Sequence, residues 1–175
     1  MEFKQILTDL KKVLKKVKTD DLKLFVNEIK NAKRVFVVGV GRSGLIAKNL
    51  AMRLVRLHKE TYVVHETVNP KMKSGDLLIT ISGSGETSDV LETVKISRMM
   101  GAKVISLTAD IKSPIAKLSH VCILIPAQIP SRLGSHYYLR ELIGVPERSA
   151  TKSPFELCAL IFLEVGVSKL GENES

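Results

Sequence analysis

The chain has 175 residues, which is enough for a substantial hydrophobic core, and we expect residues 1–175 to form a single domain. Hydrophobic residues make up 45% and charged residues 26%, ordinary globular proportions that exclude a disordered chain. The formal net charge is +9, yet aromatic residues are only 5% and no basic–aromatic interleaving occurs. We therefore expect a small anionic partner rather than nucleic acid.

Membrane, secreted and metal-binding proteins are also disfavoured. No apolar run approaches the ~20 residues of a membrane helix, and the opening MEFKQILTDLKK lacks the long apolar core of a secretory signal. Cys122 and Cys158 lie inside apolar runs, and neither they nor the histidines show metal-ligand spacing. We expect a soluble cytoplasmic protein with reduced cysteines, no membrane association and no structural metal.

The first 33 residues predict two amphipathic helices. Residues 3–18 repeat apolar side chains at a helical period, with lysines on the other face. Thr19 is then expected to cap a second helix, with Asp20 and Asp21 in its acidic first turn. This segment is expected to pack on the domain or on a partner subunit, with its lysine-rich face in solvent.

Short apolar runs then alternate with helical patterns. The last helix is predicted over Phe155–Leu170, and a short one is expected to begin at Ser113-Pro114. Runs that predict buried strands are Arg34–Val40, Thr61–His65, Leu77–Ile81, Val104–Leu107 and Val121–Ile125. The alternation predicts an α/β fold in three layers, built on a doubly wound, five-stranded parallel sheet. Residues 126–153 are predicted to be irregular.

The strongest functional signal lies in Leu77–Val90, where a strand passes through small and hydroxyl residues directly into a helix. Glycines let the backbone approach a ligand, and the first amides and the dipole of a helix favour anions. Hydroxyls that can donate to phosphate stand at Ser82, Ser84, Thr87 and Ser88. The pattern favours a phosphate site; the alternative is a plain turn in which Thr87 or Ser88 only caps the helix.

A second glycine-rich loop, Gly39–Gly44, matches G-x-G-x-x-G between a strand and a helix. With Glu66 after the next strand, it also fits the dinucleotide-binding fingerprint. Two features oppose that interpretation. The chain has no room for a separate catalytic domain, and a dinucleotide-binding fingerprint does not require the hydroxyl-rich loop that follows Leu77–Ile81. A structural alternative is a turn that lets helix and strand pack tightly.

Taken together, GVGRSG at 39–44 and ISGSGET at 81–87 resemble the sugar isomerase (SIS) domain family. Within it, ETVNP at 66–70 and FELCALIFLE at 155–164 make the chain most similar to the 6-phospho-3-hexuloisomerases. The resemblance implies a flavodoxin-like fold and an enzyme that needs no cofactor and moves a carbonyl between C3 and C2 of a hexulose 6-phosphate, giving fructose 6-phosphate. It also implies a homo-oligomer, commonly a tetramer, with active sites near subunit interfaces.

The resemblance also implies roles for individual residues. Those expected to hold the phosphate are Ser82, Gly83, Ser84, Gly85 and Thr87. Those expected to face the sugar are Gly41, Arg42 and Ser43. Two rival functions remain open: an aldose–ketose isomerase similar to arabinose-5-phosphate isomerases, and a phosphosugar sensor without catalysis.

Glu156 is the residue expected to act as the base, because it stands in the Phe-Glu pair that opens the last helix in this family. The alternative is structural: Ser153-x-x-Glu156 is a capping box, in which the carboxylate bonds the helix N-cap. A helix N-terminus also lowers a carboxyl pKa, which opposes a role as base. His65 and His136 are the alternative proton carriers.

Overall fold

A computed structural model of the chain describes residues 3–129 and 154–172. The helices are α1 Phe3–Leu14, α2 Thr19–Asn31, α3 Arg42–Arg56, α4 Ser88–Met99, α5 Pro114–Leu118 and α6 Phe155–Gly171. The strands are β1 Val35–Gly39, β2 Thr61–Val63, β3 Leu77–Ile81, β4 Lys103–Thr108 and β5 Val121–Leu124. Each predicted strand and helix in these ranges is therefore present.

The five strands form one parallel sheet in the order β2-β1-β3-β4-β5. β3 lies at its centre with all of its residues buried. The predicted α/β fold with a doubly wound, five-stranded parallel sheet is confirmed, and the strand order is the flavodoxin-like one. The order reverses between β1 and β3, and in such sheets ligands bind beside the carboxyl ends of the strands at this point.

Helices cover both faces of the sheet and complete the three layers. On one face α1, α2, α3 and α6 form the larger core, in which the Phe25 and Phe162 rings meet edge to face with centroids 5.5 Å apart. On the other face α4 and α5 bury Val90, Val94 and Ile115 against the strands. The two N-terminal helices thus pack within the chain, largely through α6.

The boundary between α1 and α2 differs from the prediction. α1 ends at Leu14, because the amides of Lys16 and Val17 donate to carbonyls three residues earlier and tighten the chain into a turn. Thr19 is already inside α2, and Lys18, in an extended conformation, occupies the N-cap position. The expectation that Thr19 caps this helix is therefore wrong.

β2 also ends early, at Val63 instead of His65. The Asn69 side-chain amide donates to the carbonyl oxygens of Val63 and Glu66, at 2.9 and 3.0 Å. These bonds draw the chain into a turn, and His65 adopts a left-handed conformation with φ of 75°. The amide of Val64 still donates to the carbonyl of Val37 at 2.9 Å, and beyond it the chain turns away from the sheet.

The predicted cap of α5 is confirmed. Ser113 caps α5, its hydroxyl accepting from the amide of Ala116 at 3.3 Å. Both cysteines are free thiols; Cys158 is buried, which raises its pKa to about 11, and Cys122 is half-buried. Over the described ranges, no helix is long and apolar enough to cross a membrane.

His120, just before β5, makes folding stability depend on pH. Its Nδ1 accepts from the amide of Val104 at 2.9 Å. Partial burial, and then the charges of Arg98 and Lys103, lower the pKa of His120 against a small opposing effect of Glu28. The unfolded chain binds this proton near pH 6.5. The stabilisation is therefore present above that pH and lost as pH falls through the lowered folded pKa.

We expect His120→Asn, which keeps an acceptor oxygen but cannot titrate, to lose less stability than the wild type between about pH 7.5 and 5. Urea unfolding at the two pH values measures the difference. Equal losses in both proteins would show that another group carries the pH dependence.

Candidate functional site

The loop after β3 is organised by Ser82, which is only 3% exposed. The amide of Gly85 donates to both the carbonyl and the hydroxyl oxygen of Ser82, each at 3.1 Å. The same hydroxyl lies 3.1 Å from the hydroxyl of Thr87 at the start of α4. Ser82 therefore ties the two ends of residues 82–87, which we call the anion loop, into one rigid turn.

Gly85 fixes the far side of the anion loop. It has φ of 63°, and its carbonyl accepts from the amide of Ile115 in α5 at 3.1 Å. A methyl group on Gly85 would collide with the hydroxyl of Ser113 and lie 2.5 Å from Ser113 Cβ. Only glycine fits here, because the conformation is left-handed and the side-chain space is already filled.

Hydrogen-bond donors are accessible to a ligand where the anion loop meets α4. Ser84 and Thr87 are half-buried and Ser88 is exposed. Within the described ranges, no side chain caps α4, whose N-cap position is Thr87. The first amides of this helix have no intrahelical acceptors, so amides and hydroxyls converge where a helix dipole favours an anion. Thr87 thus occupies the N-cap position, as the alternative held, but its hydroxyl contacts Ser82 and does not cap the helix.

The second loop follows β1, next to β3 in the sheet, so both loops lie at one edge. A methyl on Gly39 would lie 2.6 Å from the carbonyl oxygen of Ser43, and one on Gly44 would lie 2.9 Å from that of Gly39. These glycines allow strand and helix to touch, as the structural alternative held. Gly41 turns the chain with φ of 60°, which leaves Ser43 buried and the Arg42 side chain 38% exposed.

Arg42 bonds to Glu156 across the molecule. Arg42 Nη2 donates to Glu156 Oε2 at 3.2 Å, and the glutamate side chain is 20% exposed. The first residue of α3 thus meets the second residue of α6, so two predicted site residues far apart in sequence are brought together. Pro154 occupies the N-cap of α6, and within the described part of the chain no side chain caps it. Glu156 is thus the second residue of α6 and not the third, as a capping box requires, and Ser153 lies outside the described residues.

Of the two alternative proton carriers, His65 lies within the described residues and His136 does not. His65 follows β2 at the same edge of the sheet and is exposed. Glu66 in the same loop is bonded at 2.8 Å by Lys48 of α3, which lowers the pKa of Glu66. The acidic residue of the dinucleotide fingerprint is therefore engaged by a lysine. His136 lies outside the described residues.

Two contacts of this region have no signal in the sequence. One is the Arg42–Glu156 bond, between residues 114 positions apart. The other joins the anion loop to α6, since a methyl on Gly83 would lie 3.2 Å from Phe155 Cδ1. Among the described residues, no group of three or more His, Cys, Asp or Glu side chains is arranged to hold a metal ion.

The structure is thus a doubly wound α/β domain in which two glycine-rich loops lie side by side at the carboxyl ends of the parallel strands. Residues 28–139 match the family model described as SIS domain. The chain belongs to the SIS domain family.

Individual relatives agree with this membership. A protein of Methanocaldococcus jannaschii named 3-hexulose-6-phosphate isomerase is 32% identical over 163 residues, covering 90% of this chain and 81% of the relative. An uncharacterized protein of Archaeoglobus fulgidus is 37% identical over 142 residues, covering 81% and 73%. A crystal structure from Methanococcus jannaschii, described as inferring a function of 3-hexulose-6-phosphate isomerase, superimposes with a TM-score of 0.78 at 30% identity, covering 99% of this chain and 91% of that one.

Proposed function

We propose that this protein is a phosphosugar isomerase that moves a carbonyl between C3 and C2 of a hexulose 6-phosphate, giving fructose 6-phosphate. Relatives named 3-hexulose-6-phosphate isomerase, at 32% and 36% identity, support the reaction. The two free thiols support a location in the reducing cytoplasm.

One observation carries the proposal: a carboxylate stands beside a loop built to hold an anion. Phe155 packs against Gly83 of the anion loop, and Glu156 follows it in the chain. Arg42 Nη2 holds the carboxylate of Glu156 at 3.2 Å. A sugar whose phosphate lies in the loop therefore extends from a fixed anchor toward a fixed carboxylate, which is what proton transfer at carbon requires.

The proposed roles follow from the geometry. Ser84, Thr87 and the first amides of α4 bind the phosphate, while Ser82 keeps the loop rigid. Glu156 removes the proton from C3 of fructose 6-phosphate, and the C2 carbonyl oxygen gains a proton from water, so that an enediol forms between C2 and C3. Glu156 returns the proton to C2 as the C3 hydroxyl gives its proton to water, which leaves the carbonyl at C3. Arg42 orients the carboxylate. Binding of the non-reacting phosphate supplies energy that positions the reacting carbons.

Deuterium exchange followed by NMR tests the proposal. Fructose 6-phosphate incubated with the protein in heavy water is expected to gain deuterium at C3 and to yield a 3-hexulose. Exchange at C1 instead would identify an aldose–ketose isomerase. Binding without exchange at any carbon would overturn the enzyme assignment and favour a phosphosugar sensor.

We propose further that the protein is a homo-oligomer, with a tetramer as the expected size, whose subunits meet on the outer face of α3 and α6. Five apolar side chains on this face are 38–70% exposed: Leu45, Met52, Leu157, Ile161 and Val165. An apolar patch of this kind on a soluble protein marks an interface. The face begins beside Arg42 and Glu156, so a second copy there would border the site.

Charges within this face favour a second copy of the same chain. Arg53 Nε lies 3.2 Å from Glu164 Oε2, and Asn49 Nδ2 lies 3.5 Å from Glu164 Oε1. Within the described ranges, Arg53 Nε and Asn49 Oδ1 are buried without a properly formed hydrogen bond. A face that carries both an arginine and a glutamate is complementary to itself under two-fold symmetry.

Ile161→Glu is therefore expected to dissociate the oligomer, because it places a charge in the centre of the apolar face. Light scattering after size-exclusion chromatography measures the mass. The matched control is Met99→Glu on α4, where the methionine is 84% exposed but lies on the opposite side of the sheet. A wild-type protein that is monomeric at micromolar concentration, or equal dissociation by both variants, would contradict the proposed interface.

A further inference from the structure

Phe155 connects the anion loop to the beginning of α6. It is the first residue of that helix and is fully buried. A methyl on Gly83 would lie 3.2 Å from Cδ1 and 3.4 Å from Cγ of the Phe155 ring, and 2.9 Å from Cδ1 of Ile129. The ring therefore rests directly on the backbone of the anion loop, at a position where any side chain would intrude.

Hydrogen bonds also hold the backbone of the anion loop at Gly83. The carbonyl of Gly83 accepts from the amide of Ala109 at 3.0 Å and from the hydroxyl of Thr108 at 3.2 Å. The donors are the last residue of β4 and the residue that follows it, and β4 lies inside the sheet. The loop backbone is thus fixed on one side by the sheet and on the other by the Phe155 ring.

We propose that Phe155 is a positioning residue: its ring sets the distance between a phosphate in the anion loop and the carboxylate of Glu156. The proposal rests on the proposed isomerase function. A side chain packed on the loop fixes the backbone of the next residue, and proton transfer is sensitive to displacements of about 1 Å. Arg42 bonds the carboxylate directly, whereas Phe155 fixes the backbone that carries it.

The test compares Phe155→Leu with Phe162→Leu. Phe162 lies on the same helix, is also buried, and packs against Phe25, away from the loop. Both variants lose similar packing, so both are expected to lose similar stability. Phe155→Leu is expected to lower kcat about 10- to 100-fold with little change in KM, whereas Phe162→Leu retains wild-type kcat.

A second readout does not depend on turnover. The amide of Cys158 donates to the carbonyl of Pro154 at 2.9 Å and so reports on the first turn of α6. Adding fructose 6-phosphate is expected to slow hydrogen exchange at this amide in the wild type and in Phe162→Leu, but not in Phe155→Leu. If fructose 6-phosphate slows this exchange in the wild type but the protein shows no turnover, the proposed isomerase function is wrong. The proposed link from the anion loop to α6 through Phe155 is then still supported.

Gly83→Ala gives a complementary variant. Its methyl meets the Phe155 ring at 3.2 Å as well as Cδ1 of Ile129 at 2.9 Å, so it is expected to lower kcat alone. The end of the Ile129 side chain can move aside, and the smaller side chain at position 155 in Phe155→Leu relieves the ring contact. The double variant is then expected to have a higher kcat than the product of the two single effects predicts. Independent, multiplicative effects would overturn the proposal. So would equal kcat losses in Phe155→Leu and Phe162→Leu, or no slowing of exchange in the wild type.

Discussion

Replacement of Glu156 by glutamine is expected to lower kcat by about 10²- to 10⁴-fold, the usual contribution of a general base. The amide keeps an oxygen that can accept from Arg42, now at 3.2 Å from the carboxylate, so the site should retain its shape. Binding of fructose 6-phosphate should change little, because the phosphate is held by the anion loop. Initial rates and deuterium uptake at C3, measured beside equilibrium binding, separate the two effects.

Glu28→Gln is the matched control for this experiment. Glu28 on α2 is 12% exposed and pairs with Lys103 at the start of β4, at the edge of the sheet opposite the two loops. It should keep wild-type rates of exchange. Full activity in Glu156→Gln would leave that carboxylate as an anchor for Arg42 and turn attention to His65 and His136 as proton carriers.

The anion loop could be predicted from the sequence because its signals are local. An apolar run of strand length is followed by two glycines and four hydroxyl residues within Ser82–Ser88, and each has a known structural preference. Which of these hydroxyls orders the loop and which stay accessible to a ligand could not be predicted. Ser82 is buried and orders the loop, whereas Ser84 and Thr87 stay accessible, and burial of this kind depends on neighbouring elements.

The beginning of α6 shows where local patterns mislead. Ser153, Pro154 and Glu156 have capping-box spacing, but the helix begins one residue later than that motif requires. The partner of Glu156 is Arg42, which lies 114 positions earlier in the sequence and is brought close because α3 packs against α6. Spacing along the chain carries no information about such a contact.

The G-x-G-x-x-G loop illustrates a motif with more than one physical cause. Gly39 and Gly44 are needed because the first turn of α3 touches the end of β1, and any domain with this close packing would select glycine. The motif therefore indicates a tight strand–helix turn more reliably than it indicates a ligand. The distinguishing information is the anion loop on β3, the next strand in the sheet.

Gly85→Ala is expected to cost about 2–5 kcal/mol of unfolding free energy and to abolish phosphate binding. A left-handed alanine costs about 1–2 kcal/mol, and overpacking adds about 1–3 kcal/mol. The second cost arises because the methyl collides with Ser113 and lies 2.9 Å from the hydroxyl of Thr108. Relief requires a shift of the anion loop away from α5. Urea unfolding and calorimetric titration with fructose 6-phosphate measure the two losses.

Gly101→Ala is the control for Gly85→Ala, because it introduces the strain of a left-handed alanine without a steric collision. Gly101 has φ of 79°, but a methyl there would meet only Ser74 Cβ, at 3.4 Å, which is ordinary contact. It should therefore cost only the strain of about 1–2 kcal/mol and leave phosphate affinity intact. Because both variants carry the strain, the difference between them measures the fit of the anion loop against Ser113. Equal stability losses with intact binding in both would mean that the loop yields freely, and a rigid anion site would then be untenable.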